Sequence, residues 1–193
     1  MFNFIIYTNT AHAWSTGPKA YRTGAPVDNE KTCKARSCHN SFPLNSGNAK
    51  FSITTNLPVY TPGKTIKVQV SFQNWTGKLH GFEMTAVDAN SNRVGTFKKV
   101  SRKDNTTQVI PPNAVDPNKR GLKTEDEGKY IEHTLAGNKK TSWTVKWQAP
   151  STATGLITFY AAGNDANGNG VSSGDHIYTT QLQINATSTA TIQ

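Results

Sequence analysis

Apolar and polar residues alternate along most of the chain between residues 49 and 185. In the clearest segment, one face carries Ile66, Val68, Val70 and Phe72, and the other face is polar. This alternation is typical of strands buried on one face. It predicts further strands near Phe51 and at residues 80–88, 93–100, 129–135, 142–148, 155–162 and 176–184. Roughly eight or nine strands separated by turns, without an amphipathic helix, predict an all-β protein, an antiparallel Greek-key β-sandwich.

The rest of the chain lacks this period. Residues 14–48 are rich in turn-forming residues, which predicts an irregular segment ahead of a sandwich domain at 49–185. Residues 101–128 predict a long polar loop, and residues 186–193 form a polar tail. Residues 1–13 are either a signal remnant that ends at Ala11-His12-Ala13 or a retained N-terminal strand.

Composition adds a cellular location and a charge to this picture. The 193 residues are rich in Thr, Asn, Gly and Ser, and only 17% are charged, a composition that we associate with exported proteins. We therefore expect an extracellular or cell-surface location, with the periplasm as an alternative. The net charge of +9 fits an anionic partner or a solvated basic surface. No nucleic-acid motif accompanies it, and no stretch reaches the ~20 apolar residues of a membrane span.

The two cysteines belong to the sequence C-x4-C-H, with His39 directly after Cys38. In the C-x-x-C-H motif the thiols bind a haem covalently and the histidine becomes an axial iron ligand. Two additional residues can bulge outward without moving the ends, so Cys33 and Cys38 are candidates for attachment of one haem c. A disulfide between the same cysteines is the alternative for an exported chain. Zinc is a weaker interpretation because it needs four ligands.

A haem iron has a second axial position, for which the sequence offers several candidates. We predict His133 as that ligand, and His80, His176 and Met84 are alternatives. Two histidine ligands are compatible with electron transfer, whereas an open position favours binding of small ligands.

A second candidate site lies in the loop after residue 162. Oxygen-bearing side chains alternate there with glycines, as in a calcium loop, and the candidate ligands are Asp165, Asn167, Asn169 and Asp175. A hairpin rich in Gly and Asn explains the same pattern. Motifs of hydrolases, metalloproteases and phosphate-binding enzymes are absent, so we expect an electron carrier or structural protein and not an enzyme.

Ten short segments occur in a characteristic order, namely residues 15–18, 22–26, 33–39, 60–63, 81–86, 130–134, 147–150, 158–164, 167–170 and 174–179. Together they resemble the Reeler-like domains of bacterial "choice-of-anchor" surface proteins, over about residues 14–182. The resemblance implies an immunoglobulin-like sandwich on an exported protein. Many such relatives carry C-x-x-C-H, from which the present C-x4-C-H departs by two residues, and His133 lies in the similar segment 130–134.

The leading hypothesis is an extracellular c-type cytochrome with one haem, acting alone or as the subunit of a polymeric fibre. Its partners are then the haem, other redox proteins or copies of itself. An alternative from another class is a surface adhesion or structural module with a Cys33–Cys38 disulfide.

Overall fold

Ten strands account for the regular structure of the chain, in a computed structural model that describes residues 15–34, 38–112 and 122–187. The strands are β1 (Lys50–Thr55), β2 (Val59–Tyr60), β3 (Thr65–Gln73), β4 (Leu79–Asp88), β5 (Thr96–Lys99), β6 (Thr107–Val109), β7 (Tyr130–His133), β8 (Ser142–Gln148), β9 (Ile157–Ala166) and β10 (His176–Ala186). The only helical elements in the described ranges are three single 3-10 turns, Pro26–Asp28, Thr124–Asp126 and Leu135–Gly137. None of the described residues forms a helix long and apolar enough to cross a membrane.

The strands form two packed sheets, and this confirms the predicted β-sandwich. The four-stranded sheet has the order β1-β3-β8-β5, and the six-stranded sheet has the order β2-β10-β9-β4-β7-β6. All strand pairs are antiparallel except β2 and β10, which run parallel over two residues.

Three expectations about strand positions were wrong in detail. The strand predicted at 155–162 runs from Ile157 to Ala166, so Asp165 lies in a strand and not in the loop that follows it. The polar segment 101–128 was predicted to be a loop, but it contains β6, whose three residues pair with β7. Three residues are too few for an alternating pattern to be recognised. The strand predicted at 93–100 is shorter, since only Thr96–Lys99 pairs with β8 and Arg93 makes a single bridge to Val87. The N-terminal strand or signal proposed for residues 1–13 lies outside the described residues.

The core fills the space between the sheets with the apolar residues that alternation predicted. On the four-stranded side, Val68, Val70 and Val145 are fully buried, and Trp147 packs edge-on against Phe159 of the opposite sheet, with ring centroids 5.1 Å apart. A core of this size, built from large aromatic and branched side chains, holds the sandwich together through burial of apolar surface.

Strand β4 is buried on both faces, in contrast to the four-stranded sheet. Phe82 and Met84 face the core, while Glu83 and Thr85 face the opposite side and are also fully buried. The outer face of the six-stranded sheet is therefore covered over β4 and β7, whereas Gln181 and Gln183 of β10 are exposed. Residues 15–34 and 38–48, hereafter the cover segment, lie on it.

A buried ionic cluster fastens the cover segment to the sheet. Asp28 of the cover segment accepts hydrogen bonds from Thr23 (2.6 Å), from the Tyr130 hydroxyl (2.5 Å) and from the Arg93 guanidinium (2.9 Å). Arg93 also contacts Asp126 at 3.4 Å. Because Asp28 is only 2% exposed, its charge depends on these partners.

We predict that Asp28→Ala lowers the free energy of unfolding by about 3 kcal/mol, because it leaves Arg93 and Tyr130 without their shared buried acceptor. Urea denaturation of both proteins measures the change. The matched control is Glu125→Ala, which removes a 3.7 Å ion pair with Lys123 in which both side chains are 70% exposed. That variant should change stability by less than about 1 kcal/mol. Equal losses in the two variants would contradict an anchoring role for Asp28.

Candidate functional site

A pocket of about 350 Å³ lies between the cover segment and one end of the six-stranded sheet. At this end β4 begins, β7 and β9 end, and β10 begins. The titratable residues on its walls include Cys33, Cys38, His39, His80, His133 and Asp175. The structure thus brings both cysteines and three of the predicted histidines to a single pocket.

The cysteine segment is folded back on itself. The amide of His39 donates a hydrogen bond to the carbonyl oxygen of Cys33 at 3.2 Å, so the two ends of C-x4-C-H lie together. Residues 35–37 of the motif lie outside the described part. Both cysteines are free thiols. Burial, reinforced by the charge of Glu83, raises the pKa of Cys33 to about 12.

His39 is held by a carboxylate. Its Nδ1 lies 2.7 Å from Oδ2 of Asp175, whose side chain is 1% exposed. Oδ1 of Asp175 accepts a hydrogen bond from the Asn167 amide at 2.9 Å, which fixes the carboxylate in turn. A carboxylate on one ring nitrogen is the usual support of a histidine that binds metal through the other. Asp175 was predicted only as a calcium ligand, so its role as partner of His39 is a finding of the structure.

His133 reaches the pocket from the end of β7. Its Nδ1 lies 3.1 Å from the amide nitrogen and 3.2 Å from the carbonyl oxygen of Phe82. The ring lies over Gly81, where a Cβ atom would come within 2.4 Å of Cε1 of His133. The imidazole therefore depends on the absence of a side chain at position 81. One wall of the pocket thus has His39 from the cover segment and another has His133 from the sheet.

The other candidate axial ligands have different surroundings. His80 lines the pocket, is 4% exposed, and has its Nε2 3.1 Å from Oδ1 of Asp165. Neither of its ring nitrogens makes a well-aligned hydrogen bond to another described residue. His176 stacks on Phe42 with ring centroids 4.1 Å apart and does not line the pocket. Met84 is fully buried in the sandwich core.

The residues predicted as calcium ligands make hydrogen bonds within the protein. Asp165 accepts hydrogen bonds from the amides of Thr76 and Gly77. The side-chain oxygens of Asn167 and Asn169 each accept from the amide two residues ahead, at 2.9 and 3.0 Å, which is the pattern of turns. Among the described residues, no group of three or more His, Cys, Asp or Glu is placed to hold a metal ion by itself. The calcium site stays a prediction.

A pair of buried carboxylates in neighbouring strands was not predicted from the sequence. Glu83 and Glu132 are directly opposite each other on β4 and β7, and both are 0% exposed. Glu83 accepts hydrogen bonds from the amides of Tyr21 and Arg22 at 2.9 and 3.1 Å, so it is a second anchor of the cover segment. Burial, together with the charges of Glu132 and Asp28, raises the pKa of Glu83 well above its ordinary value.

We predict that Glu83 makes the protein less stable as pH rises. The folded state keeps a proton on Glu83 that the unfolded chain releases near pH 4.3, so the stabilisation is complete below that pH and is lost as pH rises through the higher folded pKa. In Glu83→Gln, urea midpoints measured from pH 4.5 to 8 should therefore fall less with rising pH than in the parent protein.

Asp104→Asn is the control for this experiment. Burial opposes ionisation of Asp104, but hydrogen bonds from Thr107 and Thr106 outweigh it and lower its pKa. The stabilisation by Asp104 is thus present at neutral pH and lost on acidification, so this variant should differ most from the parent at neutral pH. A Glu83→Gln profile parallel to that of the parent would contradict the assignment.

Comparison with known proteins adds a family and a fold. The profile of the Reeler domain matches residues 31–163. The human F-spondin reeler domain has a similar structure, with a TM-score of 0.51, 18% identity, and coverage of 76% of this chain and 94% of that one. The Reelin-N domain of F-spondin gives a TM-score of 0.51 and 17% identity, over 81% of this chain and 99% of that one. No curated protein is significantly similar in sequence.

Proposed function

The chain belongs to the Reeler domain family, and from this premise we propose that it is an exported Reeler sandwich that carries one covalently bound haem c in its pocket and transfers electrons outside the cell. One observation carries the proposal: the motif residues Cys33, Cys38 and His39 line the same pocket as His133, which lies 94 positions after His39 in the sequence. Family membership supports the sandwich module, and these four side chains support the cofactor.

Each residue of the motif has a chemical task in this proposal. The thiols of Cys33 and Cys38 would add across two vinyl groups, with each S–H hydrogen moving to the neighbouring vinyl carbon, so no oxidant is consumed. His39 would bind the iron through Nε2, because Asp175 engages Nδ1. When bound, haem c supplies one iron that accepts and donates single electrons.

The remaining walls also suit a haem. The volume of about 350 Å³ is within the range of roughly 300–1,000 Å³ found for ligand pockets. Leu79, Phe82 and Val171 provide apolar contacts, while Lys19 and Arg22 provide cations for carboxylate groups such as propionates. The donor set and the mixed lining therefore fit the group.

The alternative, a surface module without haem, uses the same two cysteines. The contact between the His39 amide and the Cys33 carbonyl brings the ends of the motif together, and this closure is compatible with a disulfide as well as with thioethers. Assembly of copies into a fibre is a further part of the proposal. The apolar segment that would mediate it lies outside the described residues, and negative-stain images of the purified protein would test it.

We predict that the native protein, expressed with a cytochrome c maturation system, is red and carries the additional mass of one haem in intact-mass spectrometry. The doubly substituted Cys33→Ser/Cys38→Ser protein should lose its haem on acid–acetone extraction. A colourless protein that is lighter than the reduced chain by two hydrogens would have a disulfide, and the haem proposal would be wrong.

We predict that His133→Ala converts a low-spin spectrum into a high-spin one and lets cyanide or CO bind faster, because the second axial position opens. His176→Ala is the matched control, since that ring stacks on Phe42 outside the pocket, and it should leave the spectrum unchanged. If His133→Ala loses stability while keeping the parental spectrum, His133 is a structural residue and not the second ligand.

A further inference from the structure

The two outer faces of the sandwich differ in whether another part of the chain covers them. The cover segment lies on the six-stranded sheet, whereas the outer face of the four-stranded sheet shows plain alternation, with every second residue polar and at least partly exposed. The polar residues on its two central strands are Thr65, Lys67, Gln69, Ser71 and Gln73 of β3 and Ser142, Thr144, Lys146 and Gln148 of β8.

Three lysines form a continuous row across this face. Lys146 of β8 is directly opposite Lys67 of β3 on one side and Lys98 of β5 on the other. Neighbouring strands lie about 4.8 Å apart, so the row spans roughly 10 Å. Like charges directly opposite each other on a sheet destabilise it, so the row costs folding stability. Its presence therefore points to a use outside the fold.

No ion pair among the described residues neutralises the row. The four strands of this sheet contain no Asp or Glu, and among the ion pairs of the described residues none involves Lys67, Lys98 or Lys146. Lys98 donates only to the amide oxygen of Gln148, at 2.8 Å. Six of the twelve acidic residues in the chain are buried, namely Asp28, Glu83, Asp126, Glu132, Asp165 and Asp175. The exposed surface is therefore more positive than the net charge suggests.

Protection of sheet edges explains only part of the row. Lysines on edge strands prevent unwanted strand pairing, and this accounts for Lys98 on β5. Lys67 and Lys146, however, lie on β3 and β8, which are the two central strands of the sheet. Their positions call for another explanation.

We propose that this lysine face, Lys67, Lys98 and Lys146 with the Ser, Thr and Gln side chains around them, binds an acidic polysaccharide that has a carboxylate on each sugar ring. A row of cations on a flat face matches a row of anions along an extended polymer. The flanking hydroxyl and amide groups can hydrogen-bond to sugar hydroxyls.

The composition of the face favours this partner over a nucleic acid. Single-stranded nucleic acids are bound by aromatic side chains that stack on bases and by arginine. The aromatic residues of these strands, Phe51, Phe72, Phe97, Trp143 and Trp147, are all buried in the core, and the four strands contain no arginine. The face thus offers charge and hydrogen bonds without stacking surfaces.

This inference is independent of the haem proposal, since the lysine face belongs to the four-stranded sheet and the pocket belongs to the other layer. The test uses the full-length protein and immobilised polygalacturonate, with the fully methyl-esterified polymer as the uncharged reference. Binding should occur only to the acid form and should weaken as salt is added.

The triple variant Lys67→Gln/Lys98→Gln/Lys146→Gln should lose about a hundredfold in affinity, given roughly fivefold for each lysine near an anionic surface. Its control is Lys31→Gln/Lys78→Gln/Lys123→Gln, which removes the same charge from exposed positions outside this sheet and should lose much less. Equal losses in both variants, an absence of binding, or tighter binding to single-stranded DNA or to an acidic protein at matched charge would each overturn the proposal.

Discussion

The docking of the cover segment depends on one buried carboxylate. Asp28 accepts hydrogen bonds from a guanidinium and two hydroxyl groups. Through Tyr130 it ties the irregular cover segment to β7, and through Arg93, which is bridged to Val87, it ties the segment to β4. Ala20 and Tyr21 of the segment pack in a small apolar cluster with Ile110, Leu122 and Tyr130, and polar anchors complete its attachment. Glu83 is a second buried anchor, because it accepts hydrogen bonds from two consecutive backbone amides of the segment. Without these contacts the pocket would lose the wall that carries both cysteines and His39.

The same arrangement gives the molecule two layers with different surface chemistry. In the six-stranded sheet, β4 and β7 are buried on both faces, and this sheet supports a concave pocket lined by histidines, thiols and the carboxylate of Asp175. The four-stranded sheet is buried on one face only and presents a flat polar surface. The proposed cofactor and the proposed polymer therefore use different chemistry on opposite sides of a single core, and neither site needs the other to form.

The main strands of both sheets were predictable from the sequence, but the cover on the outer face of the six-stranded sheet was not. Alternation identified β8 at its observed limits and β3 to within one residue at each end. In β4, alternation predicted which residues face the core. The role of Glu83 as an anchor depends on contacts with a segment about sixty residues earlier in the chain, and a local pattern cannot show such contacts. For the site, C-x4-C-H was recognisable by spacing. The partnership of His39 with Asp175 was not, since these residues are separated by 136 positions.

The cover segment also differs from the sandwich in the order in which it is synthesised and folded. It is synthesised before the sandwich, yet its anchors on Glu83 and Arg93 and the partner of His39 at Asp175 come much later in the chain. Contacts between residues so far apart form late in folding, because a long loop must first be closed. The pocket wall that carries Cys33, Cys38 and His39 therefore forms after the strands that it contacts, and His39 gains its carboxylate partner only once residue 175 has been synthesised.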